Sequence, residues 1–315
     1  MKIIGTGSSH PSLTVTNNDL AKFLDTSDEW IKTRTGISSR QIISNEDLRE
    51  MSTESAKKAI KNAGIQAKEI DYILCSSVVS EYITPGISSL VHSDIGANCP
   101  CLNLNAACTG LIYAMQIAES FFQSGVAKTI LIICAEEPSR MVDWSDRAIC
   151  SLFGDGAGAI IAKKNEKNSY IYTRNQSICD VLNYRHIFEY SPFITKEEKD
   201  TPLFMKGPEV FKHAVSTSTK DIDMAIKNTG IKYEDVKYFI LHQANIRIIE
   251  TIAKLLKQSI DKFPHNIEKY GNTSSASIPL LLDELNCNNK LQKGDIIVLS
   301  AFGAGFTSGV SVIEW

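Results

Sequence analysis

The sequence lacks the long apolar run that a membrane-spanning helix requires. Such a helix needs about 20 consecutive apolar residues, and no stretch of the 315-residue chain reaches that length. The apolar run at residues 1–7 is also too short for a secretory signal peptide. The net charge of −3 gives no global indication of a nucleic-acid partner. We therefore expect a protein that acts without a membrane or a nucleic acid.

The cysteines do not form the pattern of a disulfide framework or of a metal site. The chain has eight, and most lie in apolar, strand-like or helical runs, as Cys75, Cys134 and Cys150 do. The only close pair, Cys99 and Cys101, has the wrong spacing for a zinc site, and no histidine cluster accompanies it. Reduced thiols of this kind suit the cytoplasm. We expect a cytoplasmic protein that holds no metal ion.

Helical and strand-like patterns alternate along most of the chain, which indicates an α/β protein. A length of 315 residues suits one large or two modest domains. The polar residues 163–206 carry little helical signal, and we interpret them as a connecting and decorating segment. The patterns predict helices at 50–62, 87–95, 111–122, 209–227, 246–256 and 275–285, and strands at 71–79, 129–135, 159–163, 238–241 and 296–300, with a final strand that ends at 313.

The two halves of the chain resemble each other. The segment that begins at Ala59 has a counterpart that begins at Ala225, an offset of 166 residues. The same offset places the strand-like residues 130–133 on 296–299. Because one offset holds over two separate segments, we interpret the similarity as an internal duplication.

A duplication of this length predicts two similar α/β halves, residues 1–165 and 166–315, with buried helices between two sheets. Equivalent points of the two halves then lie near a common axis. The offset places Cys108 of the first half on Ser274 of the second. We therefore expect the start of the helix after Cys108 and the loop before Ser274 to lie close together.

Cys108 is the first candidate for a chemical role. A strand-like run ends just before it and a long apolar helical pattern begins at Leu111, so the cysteine lies at the join. A helix N-terminus presents unpaired N–H groups and a partial positive charge, and both stabilise the thiolate that acts as a nucleophile. The alternative is a small buried apolar residue, which is what most free cysteines are.

Two polar residues of the second half could assist a nucleophilic cysteine. A thiolate that attacks a carbonyl needs groups that handle protons or charge, and donors for the carbonyl oxygen. His242 follows the apolar strand pattern that ends at Leu241, and Asn272 lies in the loop at 270–279. The alternatives are a core or helix-capping histidine and an N-cap asparagine.

Five segments carry motifs that are more specific than any lone glycine pattern. They are 25–37 (DTSDEWIKTRTGI), 107–110 (ACTG), 152–159 (LFGDGAGA), 241–245 (LHQAN) and 271–275 (GNTSS). In this order they resemble the β-ketoacyl-acyl-carrier-protein synthase III family of the thiolase superfamily, and the resemblance runs from Gly5 to the C-terminus. It implies a thiolase-like, duplicated α/β/α/β/α layered fold, which agrees with the internal duplication.

The resemblance implies a reaction in two stages. Cys108 attacks the thioester of an acyl-CoA, with the backbone N–H groups of Cys108 and Ala304 as the oxyanion hole. Malonyl-acyl-carrier protein then binds, and His242 and Asn272 donate hydrogen bonds to its thioester carbonyl during decarboxylation. The carbanion attacks acyl-Cys108 and gives a 3-oxoacyl-carrier thioester, which initiates fatty-acid synthesis. The family needs no metal or redox cofactor, and it forms homodimers.

The resemblance also implies a set of CoA contacts. Trp30 and Arg147 are similar to a pair that holds the CoA adenine between them by stacking and cation–π contact. Arg34 corresponds to a contact with the CoA phosphates. Gly207 and Asn245 correspond to residues that line the pantetheine tunnel. The alternative, which is equally probable without the resemblance, is that Trp30 is a surface residue and that the two arginines form surface ion pairs.

Carrier-protein docking and the acyl pocket are implied in the same way. Lys212, Arg247 and Lys254 match a basic patch for the acidic carrier protein near the tunnel mouth, although charged helix faces are usually only solvated. The loop that contains Thr84 is expected to reach the partner subunit of a homodimer and to shape the acyl pocket. The small Thr84 side chain, where some relatives carry an aromatic one, leaves room for more than an acetyl group.

Two segments depart from the family pattern. The family carries a glycine-rich loop with a serine-aspartate-glycine pattern in the middle of the chain, and residues 174–183 lack it. Ser308 stands in the last glycine turn where a tryptophan is common. Because the first departure borders the substrate region in relatives, the sequence leaves the acyl starter open.

Three functions remain open from the sequence. The first is the chain-initiating condensing enzyme. The second is a specialised synthase, or an acyltransferase without decarboxylation, of a secondary-metabolite pathway. The third is a catalytically idle partner subunit. The intact set of Cys108, His242 and Asn272 favours decarboxylative condensation over the other two.

Overall fold

The computed structural model describes residues 1–167, 169–185 and 201–315, in which helices and strands alternate. The first half contains β1 Lys2–Ser9, β2 Leu13–Thr16, α1 Asn17–Leu20, α2 Asp28–Thr35, β3 Ser39–Ile42, α3 Leu48–Ala63, β4 Tyr72–Ser76, α4 Ile87–Ile95, β5 Cys101–Leu104, α5 Gly110–Ser124, β6 Thr129–Glu136, α6 Arg147–Cys150 and β7 Gly156–Lys163. The second half contains β8 Tyr170–Ile178, β9 Leu182–Arg185, β10 Thr201–Met205, α7 Gly207–Thr229, β11 Val236–Leu241, α8 Ile246–Leu255, α9 Ile267–Tyr270, α10 Ser277–Cys287, β12 Ile296–Gly303 and β13 Gly305–Glu314.

Two sheets carry most of the described strands. The first has the order β1-β7-β6-β4-β5, in which β6, β4 and β5 are parallel and β7 runs against both of its neighbours. The second has the order β8-β13-β12-β11, in which β12 and β11 are parallel and β13 runs against both of its neighbours. The two sheets therefore repeat one arrangement, although the division of the chain at residues 165 and 166 stays a prediction.

The offset of 166 residues is wrong near the candidate cysteine. The 3₁₀ helices Ala107–Thr109 and Ser274–Ala276 lie just before α5 and α10, and both begin with a residue at positive φ, 47° at Ala107 and 53° at Ser274. These helices are 167 residues apart, as are the starts of β6 and β12. Cys108 therefore corresponds to Ser275 rather than to Ser274, because the second half has one extra residue before this point.

Helices α5 and α10 lie in the core between the two sheets. One buried cluster joins Met115 of α5 and Leu281 of α10 to Ile132 of β6 and Leu299 of β12. Truncating a side chain in such a core to alanine costs about 2–5 kcal/mol. The packing therefore fixes the position of both helices and of the 3₁₀ turns that precede them.

The predicted helices have the ends that their capping residues dictate. Asp47 and Glu50 form a capping box at the start of α3, and Gly64 ends that helix with φ at 66°. Ser27 caps α2 by accepting a hydrogen bond from the Trp30 nitrogen. In the described part of the chain, no helix is both long enough and apolar enough to cross a bilayer.

The interpretation of residues 163–206 as a connecting segment is wrong for β8. This strand pairs antiparallel with β13 and forms one edge of the second sheet. β9 and β10 form a further two-stranded sheet. β8 is only partly buried, so its sequence lacks the continuous apolar run that marked the central strands. Residues 186–200 of the segment lie outside the described residues.

Candidate active site

Cys108 lies in the 3₁₀ turn that immediately precedes α5. The turn packs against the backbone of Gly303, where a Cβ atom would come within 2.8 Å of the Cys108 nitrogen. A side chain at position 303 would therefore displace the cysteine. Ala304 follows this close contact, and both Cys108 and Ala304 line one cavity. The two backbone N–H groups expected to form an oxyanion hole thus belong to segments in direct contact.

The surroundings of Cys108 favour the thiol over the thiolate. Burial, together with a smaller contribution from the nearby Glu136, raises the pKa of Cys108 to about 12. A hydrogen bond from Ser274 Oγ to Cys108 Sγ, 3.4 Å long, has the opposite effect. Any stabilisation of the thiolate by the N-terminus of α5, which begins two residues after Cys108, therefore acts against the effect of burial. The thiol proton must be removed before the sulfur attacks.

His242 is held as a neutral ring just beyond the end of β11. It is 2% exposed, and this burial lowers its pKa to about 3. Its Nδ1 atom lies 2.8 Å from Ser277 Oγ, and the same oxygen accepts a hydrogen bond from the Gln243 nitrogen at 3.3 Å. When the Ser277 hydroxyl donates to Nδ1, the ring proton lies on Nε2. An edge-on contact with Phe302 further fixes the ring.

Asn272 is fixed by backbone contacts with the glycine turn before β7. Its nitrogen donates to the Leu152 carbonyl at 2.8 Å, and its carbonyl accepts from the Gly154 nitrogen at 3.1 Å. Its Oδ1 atom accepts from the Ser274 nitrogen at 2.9 Å, so Asn272 also caps the following turn. Gly154 is needed here, since a Cβ atom would lie 2.2 Å from the Tyr270 carbonyl oxygen. With Oδ1 occupied, the Nδ2 hydrogens remain as the donors Asn272 can offer.

A cavity of about 1130 Å³ brings the candidate residues together. Cys108, His242, Asn272 and Ala304 all line it. Among the binding residues that the sequence predicts, those that also line it are Trp30, Arg34, Gly207, Asn245 and Arg247. Those that do not line it are Thr84, Arg147, Lys212 and Lys254.

The sequence analysis did not single out three polar residues of the site. Ser274 contacts the Cys108 sulfur, Ser277 contacts His242, and Glu136 lines the cavity at the end of β6. A pair of acidic residues, Glu136 and Glu137, at the end of an apolar strand pattern was the available signal for Glu136. Ser274 and Ser277 lie in a segment with three serines, and the sequence does not show which of them contacts which residue.

Comparison with known proteins identifies the family of this chain. Residues 102–177 match the family described as 3-oxoacyl-[acyl-carrier-protein (ACP)] synthase III, and residues 226–315 match its C-terminal part. The β-ketoacyl-[acyl-carrier-protein] synthase III of Clostridium acetobutylicum is 42% identical over 322 residues, which cover 100% of this chain and 98% of the relative. The chain belongs to the β-ketoacyl-acyl-carrier-protein synthase III family. The resemblance drawn from the five motifs is confirmed.

Solved structures of synthase III proteins share the fold over the whole chain. The protein from Aquifex aeolicus is 38% identical with a TM-score of 0.91, and the alignment covers 100% of this chain and 99% of that one. The protein from Thermus thermophilus is 32% identical with a TM-score of 0.93 over 100% and 99% of the two chains. The predicted thiolase-like α/β fold is therefore confirmed.

The residues predicted to hold CoA adenine form a stack in this synthase III structure. The guanidinium carbon of Arg34 lies 4.6 Å from the centre of the Trp30 ring, and that of Arg147 lies 4.9 Å from it. Arg147 also pairs with the Asp25 carboxylate at 3.0 Å. A planar base between two planar groups requires them to be about 7 Å apart. Arg147 must therefore move from the indole before adenine can lie between them.

The predicted docking residues and Thr84 lie outside the main cavity, except for Arg247. Asn245 caps α8 through the Arg247 nitrogen, and its Nδ2 donates to the Arg34 carbonyl at 3.0 Å. Lys212 lies on α7 beside an adjoining shallow depression, and Lys254 lies in the last turn of α8. Thr84 is exposed in the loop between β4 and α4. Its part in the acyl pocket stays a prediction.

The two departures from the synthase III pattern contact each other. Ser308 Oγ donates to Asp221 Oδ2 at 2.8 Å and accepts from Arg174 Nε at 3.2 Å. Arg174 and Asp221 form an ion pair at 3.0 Å. Burial raises the pKa of Asp221, whereas Ser308 and Arg174 oppose that shift. Ser308, Arg174 and Asp221 thus form one connected polar group at the two segments that depart from the expected pattern.

Proposed function

We propose that this chain condenses an acyl-CoA starter with malonyl-acyl-carrier protein through an acyl-Cys108 intermediate, and so initiates fatty-acid synthesis. The convergence of Cys108, His242 and Asn272 on one cavity, in a chain of the synthase III family, carries this proposal. The two halves of the chain contribute different groups. The first supplies the nucleophile, and the second supplies two hydrogen-bond donors.

The first stage transfers the acyl group to sulfur. The Cys108 thiolate attacks the thioester carbon, the oxyanion accepts hydrogen bonds from the backbone N–H groups of Cys108 and Ala304, and CoA leaves as the thiol. The close contact at Gly303 supports this role, since it places the two segments side by side. Fixed backbone donors stabilise the oxyanion because they need no reorganisation when charge develops.

The second stage places negative charge on the thioester oxygen of the malonyl group. His242 Nε2–H and the Asn272 amide donate to this oxygen while carbon dioxide leaves, and the carbanion then attacks acyl-Cys108. A neutral His242 suits the role, because it donates a hydrogen bond without transferring a proton. The loss of one such donor typically costs about 2.7–4 kcal/mol of transition-state stabilisation.

We assign the substrate-binding residues from the family resemblance. CoA contacts Trp30, Arg34, Arg147, Gly207 and Asn245, and all of these except Arg147 line the cavity. The acidic carrier protein docks on the basic residues Lys212, Arg247 and Lys254, where opposite charge steers its approach. No cofactor beyond these substrates takes part in the proposed reaction.

We also propose a cytoplasmic homodimer. Its interface includes the edge strand β5 and the loop before α4, and the exposed apolar side chains of Tyr82, Ile83 and Leu102 in these segments support this. Thr84 of the same loop then borders the acyl pocket of the partner. The eight free cysteines, with a thiol nucleophile among them, suit a reducing compartment.

One alternative is a specialised synthase that primes a secondary pathway. The priming β-ketosynthase of the R1128 polyketide pathway is 29% identical with a TM-score of 0.93, over 99% of this chain and 95% of that one. The starter separates the two functions. A panel of acyl-CoAs offered with malonyl-carrier, followed by mass analysis of the 3-oxoacyl-carrier product, identifies it. Product formation without release of carbon dioxide would contradict decarboxylative condensation, and no product with any starter would contradict both functions.

A further inference from the structure

We infer that Glu136 accepts the thiol proton of Cys108 through the hydroxyl of Ser274. Glu136 acts through another residue, so it is a positioning residue for the attack by Cys108. Its effect on the acylation step rests on the proposed function, whereas its effect on the thiol itself does not. Loss of the proton on sulfur precedes any attack by Cys108, whichever electrophile is used.

Glu136 is a buried carboxyl that faces the same cavity as Cys108. It is the last residue of β6 and is 1% exposed. Ser275 Oγ donates to its Oε1 atom at 2.5 Å, and the Val78 nitrogen donates to Oε2 at 3.1 Å. None of the main influences on its pKa comes from a basic side chain. A buried carboxylate without a cation is costly, so its position beside the nucleophile calls for a chemical explanation.

Ser274 contacts the sulfur and also acts on this carboxyl. Its hydroxyl donates to Cys108 Sγ at 3.4 Å, and its hydrogen bonding lowers the pKa of Glu136. In the relay the hydroxyl turns from the sulfur to the carboxylate, so that its oxygen accepts the thiol proton while its own proton passes to Glu136. The positive φ of Ser274, 53°, holds the hydroxyl at this point of the turn. Ser277 holds Nδ1 of His242, whose low pKa makes the ring a poor proton acceptor.

The step balances within these groups and the substrate. The Cys108 S–H bond breaks as Ser274 Oγ takes the proton, and the original Ser274 O–H proton moves to Glu136. The thiolate forms a bond to the acyl carbon, and the bond from that carbon to the CoA sulfur breaks. The proton on Glu136 returns through Ser274 to the CoA sulfur, which leaves as the thiol. Glu136 is again a carboxylate after each acylation.

Among the described residues, three thiols are affected by the charge of Glu136. Cys75 of β4, Cys134 of β6 and Cys108 each have a pKa raised by the Glu136 charge as well as by burial. Burial raises the pKa of Glu136 itself to about 7. The carboxylate that accepts a proton therefore forms as the pH rises through this value, and the rate of sulfur attack should rise over the same range.

The Glu136→Gln variant tests the inference, because the amide oxygen can still accept from the Val78 nitrogen while the amide NH2 group donates to Ser275 Oγ. At pH 7 we expect alkylation of Cys108 by iodoacetamide, and its acylation by acyl-CoA, to slow about 100-fold. The wild-type rise in rate near pH 7 should disappear. If Glu136 only repelled the thiolate, its neutralisation would lower the pKa of Cys108 and speed alkylation. An equal or faster rate would therefore overturn the inference.

Glu137→Gln is the matched control. Glu137 is the adjacent buried carboxyl, 3% exposed and with a pKa also raised to about 7, but it pairs with Arg140 and does not line the cavity. We expect this variant to keep the wild-type alkylation rate and pH profile. An equal slowing in both variants would assign the effect to lost packing and overturn the inference.

Ser274→Ala provides a second variant that should fold. The equivalent position in the first half is Ala107, whose φ of 47° shows that alanine tolerates this conformation in the chain. We expect its alkylation rate to fall as in Glu136→Gln, with no further loss in the double variant. Additive losses would overturn the relay. Slower alkylation together with the absence of any acyl-enzyme would refute the proposed function and leave the proton transfer standing.

Discussion

Replacing Ser277 with alanine tests whether His242 acts as a neutral Nε2–H donor. The Ser277 hydroxyl contacts Nδ1 at 2.8 Å and is 2% exposed, so water does not readily replace it. The hydrogen bond that favours the Nε2–H tautomer is worth about 0.5–1.5 kcal/mol. Its loss should slow decarboxylation of malonyl-carrier about 2- to 13-fold. Acylation of Cys108 should not change, because the Cys108 thiol lies outside this contact.

Release of carbon dioxide from carboxyl-labelled malonyl-carrier, with pre-acylated enzyme, measures this step separately. Ser300→Ala is the control, because Ser300 is equally buried and accepts from the His242 nitrogen only through its backbone carbonyl at 2.9 Å. Its hydroxyl has no hydrogen-bond partner among the described residues. We expect decarboxylation at the wild-type rate in Ser300→Ala. A wild-type rate in Ser277→Ala as well would refute the account of how His242 is held.

Three further predictions concern the donors, CoA and pH. His242→Ala and Asn272→Ala should each retain acylation of Cys108 and lose decarboxylation about 100- to 1000-fold; full carbon dioxide release in both variants would refute their role. Arg147→Ala should raise KM for acyl-CoA more than it changes kcat in steady-state assays, as expected when ground and transition states lose binding equally; a change confined to kcat would contradict this. The stability difference between the wild-type chain and His242→Ala should shrink as the pH drops from 8 to 5, because burial lowers the pKa of His242 to about 3 while the unfolded wild-type chain takes up a proton on this residue. The raised pKa values of Glu136 and Glu137 act on both chains and cancel in this comparison. Urea midpoints of the two proteins at pH 8, 6 and 5 measure the difference, and a difference that grew toward pH 5 would contradict the prediction.

Local signals in the sequence predicted most of the helices. Helix α4 has the predicted bounds, and α3 ends within one residue of the predicted end at 62, because caps and left-handed glycines act within a few residues. The half-buried strand β8 was missed, since an edge strand with one exposed side has no continuous apolar run. The offset between the halves was wrong by one residue, because a run of apolar strand residues matches equally well after a shift of one position.

The sequence predicted the site residues that belong to the five motif segments. These include Cys108, His242 and Asn272, which all line one cavity in the structure. Their supporting contacts join residues far apart in the chain, such as Ser277 with His242 and Ser275 with Glu136, and no local pattern reveals such pairs. The pKa of Cys108 also depends on burial by distant segments, which the local helix-terminus argument did not include.

Mass measurement of the protein after incubation with acyl-CoA tests the central claim most directly. The account predicts a mass increase of one acyl group that maps to the peptide containing Cys108 and disappears in Cys108→Ala. Addition of malonyl-carrier should then remove the acyl group and release carbon dioxide. An unmodified Cys108 with every acyl-CoA of a broad panel, or an acyl group on another residue, would contradict the account.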